Sequence, residues 1–173
     1  MKKIYIILDN EIKSFEGLFD ECECIEKIKF IRFKRNDIIN MSYMFFGCSS
    51  LKELNLNNFN NNNVTNMSCM FSDCSSLKEL NLSNFNTNNV FNMSHMFNRC
   101  ESLKELNITN FNTNNVIDMS YMFGNCSSLK ELNLSNFNTN NETNMNGMFS
   151  DCSKDLKKKI ISEYKNINHK AFK

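Results

Sequence analysis

Apolar positions recur along this chain at a fixed spacing of 26 residues. Five methionines and five cysteines share that register: Met41, Met67, Met93, Met119 and Met145, with Cys48, Cys74, Cys100, Cys126 and Cys152. The consensus of the copies reads N-M-S-x-M-F-x-x-C-S-S-L-K-E-L-N-L-S-N-F-N-T-N-N-V-x. Because self-similarity at a period of this length is typical of repeat architectures, the pattern predicts stacked copies of one small unit.

The first part of each copy predicts a short helix. Met67, Met70, Phe71 and Cys74 stand at i, i+3, i+4 and i+7, the spacing that lines one face of a helix. The residue before each such segment is of a type that caps helix N-termini, and the six are Ser14, Asn40, Asn66, Asn92, Asp118 and Asn144. We therefore expect a helix to begin after each of them.

The second part of each copy predicts a strand and a turn. Leu77, Leu80 and Leu82 form an L-x-x-L-x-L pattern, in which alternate strand residues point inward. Asn-rich segments follow, and stacked Asn side chains can bond the turn amides of neighbouring copies. The predicted fold class is α/β: a right-handed leucine-rich-repeat solenoid of 26-residue repeats, with a parallel β-sheet on the concave face and short helices on the convex face.

The two ends of the array depart from the consensus. Ile4 and Ile7 match the strand positions, so residues 1–14 are predicted to be an N-terminal half-repeat cap. Residues 15–152 are the predicted tandem repeats, and their first copy is diverged but keeps apolar residues such as Phe33 in register. The register breaks where Glu142 replaces Val and Asp155 replaces Leu.

Beyond the break, the sequence predicts an amphipathic helix from Lys154 to Asn168. Leu156, Ile160, Ile161, Tyr164 and Ile167 would lie near one face of this helix, with lysines opposite. A stack of repeats needs its last apolar face covered. Residues 153–173 are therefore predicted to be a C-terminal capping helix and tail.

The block C-S-S-L-K-E-L-N-L-S-N-F-N-T-N-N-V-x-N-M-S-x-M-F carries a family resemblance. It runs from Cys74 to Phe97 and, with small changes, from Cys100 to Phe123. The block resembles the BspA-like leucine-rich repeats of Mycoplasma-type surface proteins, and the likeness covers about residues 15–152. The resemblance implies a leucine-rich-repeat solenoid that serves in cell-surface adhesion or protein binding, mostly without a defined biochemical activity.

The net charge of the chain and the composition of its segments limit the kinds of partner that it is expected to bind. Lys and Arg number 20 against 19 Asp and Glu, a formal net charge of +1, so no broad field attracts nucleic acid or anionic lipid. The start of the chain lacks a signal-peptide core and a lipid-attachment Cys, and no apolar run approaches the ~20 residues of a spanning helix. We expect no membrane insertion and favour an intracellular location, unless the sequence is a fragment of a surface protein.

Cysteine and histidine offer two candidate chemistries. The recurring Cys is interpreted as a buried free thiol, in preference to a disulfide or metal stack, because ligands in a line do not converge on one ion. Cys69 and His95 occupy the same position of adjacent copies, so a Cys/His dyad is one interpretation and a freely varying surface position is the favoured one. We predict no catalytic residue, no cofactor and no metal.

The outward residues of the predicted strands are the candidate partner-binding site. They are Glu53, Asn55, Glu79, Asn81, Glu105, Asn107, Glu131 and Asn133. Neighbouring lysines at 52, 78, 104 and 130 would compensate the glutamates in a solvated charge ladder; a bound cation or basic peptide is the alternative.

A second candidate surface lies beside the predicted helices. Tyr43, Phe46, Phe91 and Tyr121 there either form an apolar patch that binds protein or mark relaxed drift. The predicted function is a non-catalytic protein-interaction scaffold. The alternative is a structural or adhesin segment that self-associates or mediates cell-surface attachment, and the chain is expected to be a monomer or to self-associate weakly.

Overall fold

Short parallel strands form where the L-x-L segments of successive copies align. The computed structural model describes residues 12–30, 37–57, 59–138 and 143–173. Its strands are β1 (Lys27–Lys29), β2 (Glu53–Asn55), β3 (Glu79–Asn81) and β4 (Glu105–Asn107). β1 pairs with β2 and β3 pairs with β4, each residue opposite the one 26 positions later. The parallel pairing predicted from the repeat is thus present, but as two two-stranded sheets and not as one continuous sheet.

A second parallel ladder runs through the residues that were predicted as helix caps. Isolated bridges join successive members of this set, which lie 26 residues apart: Ser14, Asn40, Asn66, Asn92, Asp118 and Asn144. The ladder continues into the next residues, since the N–H of Tyr43 donates to the Ser68 oxygen at 3.0 Å and that of Phe45 to the Met70 oxygen at 2.9 Å. Neighbouring copies are therefore held in register by backbone bonds on two sides.

The prediction of a short helix in each copy is wrong. Residues 42–47 and their equivalents in later copies form consecutive tight turns. Alternate N–H groups in this segment donate to the next copy, whereas those between them donate to the residue three positions back, as from Met44 to Met41. A helix would keep nearly all of these bonds inside one segment, and the copies would lose their backbone link.

Left-handed backbone at two positions per copy accounts for the turns. One position carries positive φ at Gly17, Tyr43, Cys69, His95, Tyr121 and Gly147, and the other at Glu21, Gly47, Asp73, Arg99, Asn125 and Asp151. A residue with φ near +60° cannot continue a right-handed helix. The predicted caps still bond locally, since the Asn40 Oδ1 accepts from the Ser42 N–H at 3.0 Å.

A continuous row of stacked phenylalanine rings runs through the core. The rings belong to Phe19, Phe45, Phe71, Phe97, Phe123, Phe149 and Phe172, with neighbouring centroids 5.4 to 5.6 Å apart and planes within 21°. The recurring methionines and leucines pack around this row and are buried. The copies thus share one apolar interior, which no single copy could form alone.

The Asn-rich turns are bonded from copy to copy, as predicted. The buried Thr87 hydroxyl donates to the Asn112 carbonyl and accepts from the Asn112 N–H, both at 2.8 Å. In the preceding copy Asn61 makes the same two contacts with Asn86 through its side-chain amide. These bonds satisfy turn amides that would otherwise be buried without a partner.

Helix α1 (Lys154–Glu163) follows the last copy and is shorter than predicted. The Ser153 side chain accepts the Leu156 N–H at its start, and the helix ends at Glu163 rather than Asn168. Leu156 and Ile160 are buried, but Ile161, placed on the same face by the prediction, is exposed. The helix therefore covers the core with a narrower apolar stripe than expected.

The tail after α1 occupies the place of a further copy. Its 3₁₀ turn (His169–Phe172) accepts the Gly147 N–H through the Lys170 oxygen at 2.9 Å and the Phe149 N–H through the Ala171 oxygen at 2.7 Å. Phe172 adds the seventh ring to the stack. Residues 1–11 of the predicted half-repeat, Phe33 and Glu142 lie outside the described residues, and the boundaries of the three predicted segments stay a prediction.

Candidate functional site

The strand face forms an open groove with a volume of about 1180 Å³. All four strands line it, together with lysines and one glutamate from flanking positions: Lys52, Lys104, Lys130 and Glu131. Each strand is three residues long with its middle residue facing the core, so its two outer residues are exposed. The groove therefore presents a Glu and an Asn from each of β2, β3 and β4.

The structure brings the candidate partner-binding residues onto this face. Glu53, Asn55, Glu79, Asn81, Glu105, Asn107 and Glu131 line the groove. Asn133 lines a smaller adjoining groove of about 460 Å³ between β4 and α1, which Lys159 and Tyr164 also line. Residues 131–133 themselves form no strand. The role of the eight residues in binding stays a prediction.

Ion pairs on this face cross from one copy to the next. Glu53 pairs with Lys27 of the preceding strand, and Lys52 pairs with Glu26 at 3.1 Å. At the other end Glu131 pairs with Lys159 of α1 at 3.1 Å, and this hydrogen bond raises the pKa of the Lys159 ammonium group. Glutamates therefore pair with lysines at the two ends of the groove, as predicted. The lysines that pair with Glu53 and Glu131 are not the lysines next to them in sequence.

The middle of the groove presents two carboxylates that have no ion-pair partner in the described part of the chain. Glu79 and Glu105 are exposed and lie opposite each other in the β3–β4 register. Within the described part of the chain neither carboxylate makes an ion pair. Lys78, the lysine of the same copy as Glu79, is not among the described residues that line the groove. Lys104 also lines the groove beside Glu105, so the middle presents two carboxylates and one ammonium group, between ends whose glutamates are paired with lysines.

The asparagines beside these carboxylates are held in fixed turns. The Asn81 Oδ1 accepts the Ser83 N–H at 3.0 Å, and the Asn107 Oδ1 accepts the Thr109 hydroxyl at 2.9 Å. Among residues 12–30, 37–57, 59–138 and 143–173, neither Nδ2 group has a hydrogen-bond acceptor. Each asparagine therefore keeps two donors for an occupant of the groove.

Cys69 and His95 do not form the dyad that their sequence positions allow. The Cys69 thiol is hydrogen-bonded to the Tyr43 hydroxyl, and the His95 ring stacks on Tyr121 with centroids 5.0 Å apart. Burial raises the pKa of the Cys69 thiol, the opposite of what a thiolate nucleophile requires. The two half-buried side chains instead belong to one row with the exposed Tyr43 and Tyr121, at a left-handed backbone position that those residue types did not indicate.

The recurring cysteines act as hydrogen-bond donors inside the stack. The Cys74 thiol donates to the Phe45 carbonyl and the Cys100 thiol to the Phe71 carbonyl, each at 3.1 Å, so every thiol bonds the copy before its own. Burial raises the pKa of Cys48 to about 12 and that of Cys152 to about 11. All eight cysteines are free, and no group of three metal-ligating side chains occurs among the described residues.

A comparison with protein-family models identifies the family of this chain. The model described as "Mycoplasma protein of unknown function, DUF285" matches residues 13–107 and again residues 77–172. The chain belongs to this family. The match confirms the Mycoplasma-type resemblance read from the repeat block. No helix in the described part of this DUF285 chain is long and apolar enough to cross a membrane.

Two solved leucine-rich repeat proteins are similar to this DUF285 chain. One, from Eubacterium ventriosum, is 21% identical with a TM-score of 0.42, and the similarity covers 57% of this chain and 24% of that one. The other, from Bacteroides ovatus, is 19% identical with a TM-score of 0.39, covering 66% and 33%. The matched part of the chain thus spans 24% and 33% of the length of these two proteins. No curated protein matches it.

Proposed function

We propose that this chain is a non-catalytic protein-interaction module, a right-handed solenoid of 26-residue repeats that binds an extended basic segment of a partner protein along its strand face. The observation that carries the proposal is the pair of carboxylates at the centre of the groove, where Glu79 and Glu105 lie in register without ion-pair partners in the described chain. Leucine-rich repeats commonly serve protein interaction, and the groove runs across all four described strands.

The arrangement of charges selects the kind of partner. Parallel strands lie ~4.8 Å apart, so the carboxylates of Glu79 and Glu105 can be bridged by one guanidinium group. The Asn81 and Asn107 side chains add amide donors for the carbonyl oxygens of an extended peptide. Lysines at both ends of the groove oppose a uniformly basic segment. The expected ligand therefore has a basic residue at its centre and neutral or acidic residues on either side.

The same geometry supports binding over catalysis. Cys69 and His95 have separate partners, Tyr43 and Tyr121, so the chain's candidate nucleophile lacks its base. Burial raises the pKa of the Cys100 thiol, which donates its proton to the Phe71 carbonyl, so this thiol is a poor nucleophile. An adhesin role would use the same strand face if this chain is part of a longer surface protein.

Selection from a random peptide display library tests the proposal. Peptides enriched on the wild-type chain should share a central Arg or Lys, and the Glu79→Gln/Glu105→Gln variant should bind them at least tenfold more weakly. The matched control is Glu23→Gln/Glu101→Gln, which changes the net charge equally at exposed carboxylates that are not among the described groove residues. Enriched peptides without a basic residue, or equal loss in both variants, would contradict the proposal.

A further inference from the structure

The first described copy carries a second thiol beside its recurring one. Cys22 occupies the repeat position that Cys48 occupies in the next copy. Cys24 stands two residues further on, where later copies have serine: Ser50, Ser76, Ser102 and Ser128. Both thiols lie outside the residues that line the groove. Two thiols separated by one residue are a candidate site for thiol–disulfide exchange.

Backbone geometry brings these two cysteines within the range of a disulfide. The Ile25 N–H donates to the Cys22 carbonyl at 3.3 Å, so residues 22–25 form a tight turn, which we call the thiol turn. Two Cα steps of ~3.8 Å that bend in such a turn leave its first and third Cα atoms about 5 to 6 Å apart. Disulfides join Cα atoms that are about 4.4 to 6.8 Å apart.

Exposure distinguishes the two thiols from the other cysteines. Cys24 is exposed and Cys22 is half-buried, whereas the five recurring cysteines of the later copies are buried. Each of those five thiols donates to a carbonyl of the copy before its own. Cys69 is half-buried, and its thiol is hydrogen-bonded to a tyrosine hydroxyl. An oxidant in solution therefore meets Cys24 first, and the second thiol closest to it in sequence is Cys22.

The thiol turn lies in an acidic part of the surface. Between Ser14 and Glu26 the sequence contains no lysine or arginine, and its carboxylates are Glu16, Asp20, Glu21, Glu23 and Glu26. Lys52 pairs with Glu26 at 3.1 Å, which leaves the exposed Asp20, Glu21 and Glu23 beside the two thiols. Positively charged reagents are therefore attracted to this turn, and negatively charged reagents are repelled.

We propose that Cys22 and Cys24 are a dithiol site that low-molecular-weight disulfides, in particular cationic ones, oxidise to an intramolecular disulfide. In the first step the Cys24 thiolate attacks one sulfur of the reagent, forms a mixed disulfide with it and releases the other half of the reagent as a thiol. In the second step the Cys22 thiolate attacks the Cys24 sulfur and releases the remaining half as a thiol. Two protein thiols are thereby oxidised and one reagent disulfide is reduced to two thiols, which take up the two protons.

The environment of Cys22 suits it to the second step. Burial raises the pKa of the Cys22 thiol, and the nearby Cys24 sulfur and Asp20 carboxylate raise it further. A thiol of this kind reacts slowly with a dissolved reagent. In the mixed disulfide its target is held two residues away, and such proximity raises the effective concentration of the reacting group. Cys24 therefore captures the reagent, and Cys22 resolves the mixed disulfide.

Mass spectrometry of the native chain tests the site. A Cys69→Ser background leaves Cys22 and Cys24 as the two cysteines that are not buried, and cystamine serves as the cationic disulfide. We expect the chain to lose two hydrogens and to carry a disulfide between residues 22 and 24, which added dithiol reverses. Cys22→Ser should instead retain the mixed disulfide at Cys24. Retention of the mixed disulfide by the chain that has both thiols would overturn the proposal.

The charge of the reagent tests the acidic surroundings separately. At low salt cystamine should react at least tenfold faster than glutathione disulfide, which is anionic, and the ratio of the two rates should shrink at high salt. Glu21→Gln/Glu23→Gln should reduce this ratio. The matched control is Glu79→Gln/Glu105→Gln, which removes the same charge from the groove and should leave the ratio unchanged. Equal rates for the two reagents at low salt would contradict the preference for cations.

A transplanted pair separates the effect of exposure from that of spacing. Cys24→Ser/Ser50→Cys moves the same spacing to the next copy, where the Leu51 N–H donates to the Cys48 carbonyl in an equivalent turn. There Cys48 is buried, and burial raises the pKa of its thiol to about 12. We expect the mixed disulfide at position 50 to close to a ring at least tenfold more slowly than the one at Cys24. Equal rates of ring closure would show that spacing alone suffices and would overturn the assignment of the site to the first copy.

Discussion

The middle copies and the C-terminal end solve the same packing problem with different sequences. In the middle, Phe97 stacks between Phe71 and Phe123 at 5.6 Å on each side, and the backbone bonds run between like copies. At the end, Phe149 meets Phe172 at 5.5 Å with a wider tilt, and its N–H is accepted by Ala171. The tail lacks the repeat motif yet supplies the same backbone oxygen and ring. A stack therefore needs matching contacts at its end rather than a matching sequence.

Alkaline pH should produce the largest change in stability, and this change should distinguish the middle copies from the C-terminal end. Burial raises the pKa of Cys74, Cys100 and Cys126 well above the ~8.5 of an unfolded thiol. The unfolded chain therefore loses these protons first. Stability that is fully present below pH ~8.5 should fall above it by about 1.4 kcal/mol per pH unit for each thiol, about 4 kcal/mol per pH unit for the three, and Cys48 and Cys152 add to this slope up to their own pKa values. Urea unfolding from pH 8 to pH 12 measures the slope.

The alanine variants of two cysteines compare the middle with the end. Cys100→Ala should reduce the loss of unfolding free energy per pH unit by about 1.4 kcal/mol, the contribution of one thiol, over the whole of this alkaline range. Cys152→Ala should do so only up to about pH 11, because burial raises the pKa of the Cys152 thiol to about 11. An unchanged slope in Cys100→Ala would mean that the central thiols ionise in the folded chain.

The period and the interior positions could be predicted from the sequence, but the local backbone could not. Every recurring Met, Phe and Cys placed inside the stack by its 26-residue spacing is buried there from Met41 to Cys126. The spacing i, i+3, i+4, i+7 predicted helices because a helix and a run of tight turns both bring such residues to one side. The residue types of Tyr43 and Cys69 do not indicate their left-handed backbone, which only the glycines at the equivalent positions Gly17 and Gly147 signal.

The candidate groove was predictable in its members and not in its charge balance. The strand pattern alone placed Glu79 and Glu105 side by side on one face. Their lack of ion pairs depends on how far each lysine reaches across to the neighbouring copy, as Lys27 reaches Glu53 and Lys159 reaches Glu131. That stagger is a property of the stacked backbone and of α1, which no single repeat encodes.

Removing a ring should cost more in the middle than at the end. Phe97 is fully buried between two rings, so Phe97→Ala should lower the free energy of unfolding by about 3 to 5 kcal/mol. Phe172 is half-buried and has one stacked neighbour, so Phe172→Ala should cost about 1 to 2 kcal/mol. Urea unfolding measures both, and Phe97→Leu controls for lost volume. Equal costs would show that the tail is as integral to the stack as a repeat.

The smallest loss of stability is expected at the C-terminal end of the stack, on the side that carries the strands. In the middle, the Leu82 N–H donates to the Asn107 carbonyl, a backbone acceptor that no substitution removes. The equivalent Leu134 N–H donates instead to the Tyr164 hydroxyl at 3.0 Å. Tyr164→Phe should therefore leave a buried N–H without this acceptor, lower the free energy of unfolding by about 1 kcal/mol and speed hydrogen exchange at the Leu134 amide.

Tyr121→Phe is the matched control for that substitution. It also removes one phenol oxygen, but from an exposed ring that stacks on His95, so stability should change by less than about 0.5 kcal/mol. Exchange at the Leu82 amide should stay slow in both variants, because its acceptor is main chain. If the Leu134 amide exchanges as slowly in Tyr164→Phe as in the wild type, its protection does not depend on the Tyr164 hydroxyl. The C-terminal end would then differ from the middle copies only in the tail that stacks on Phe149.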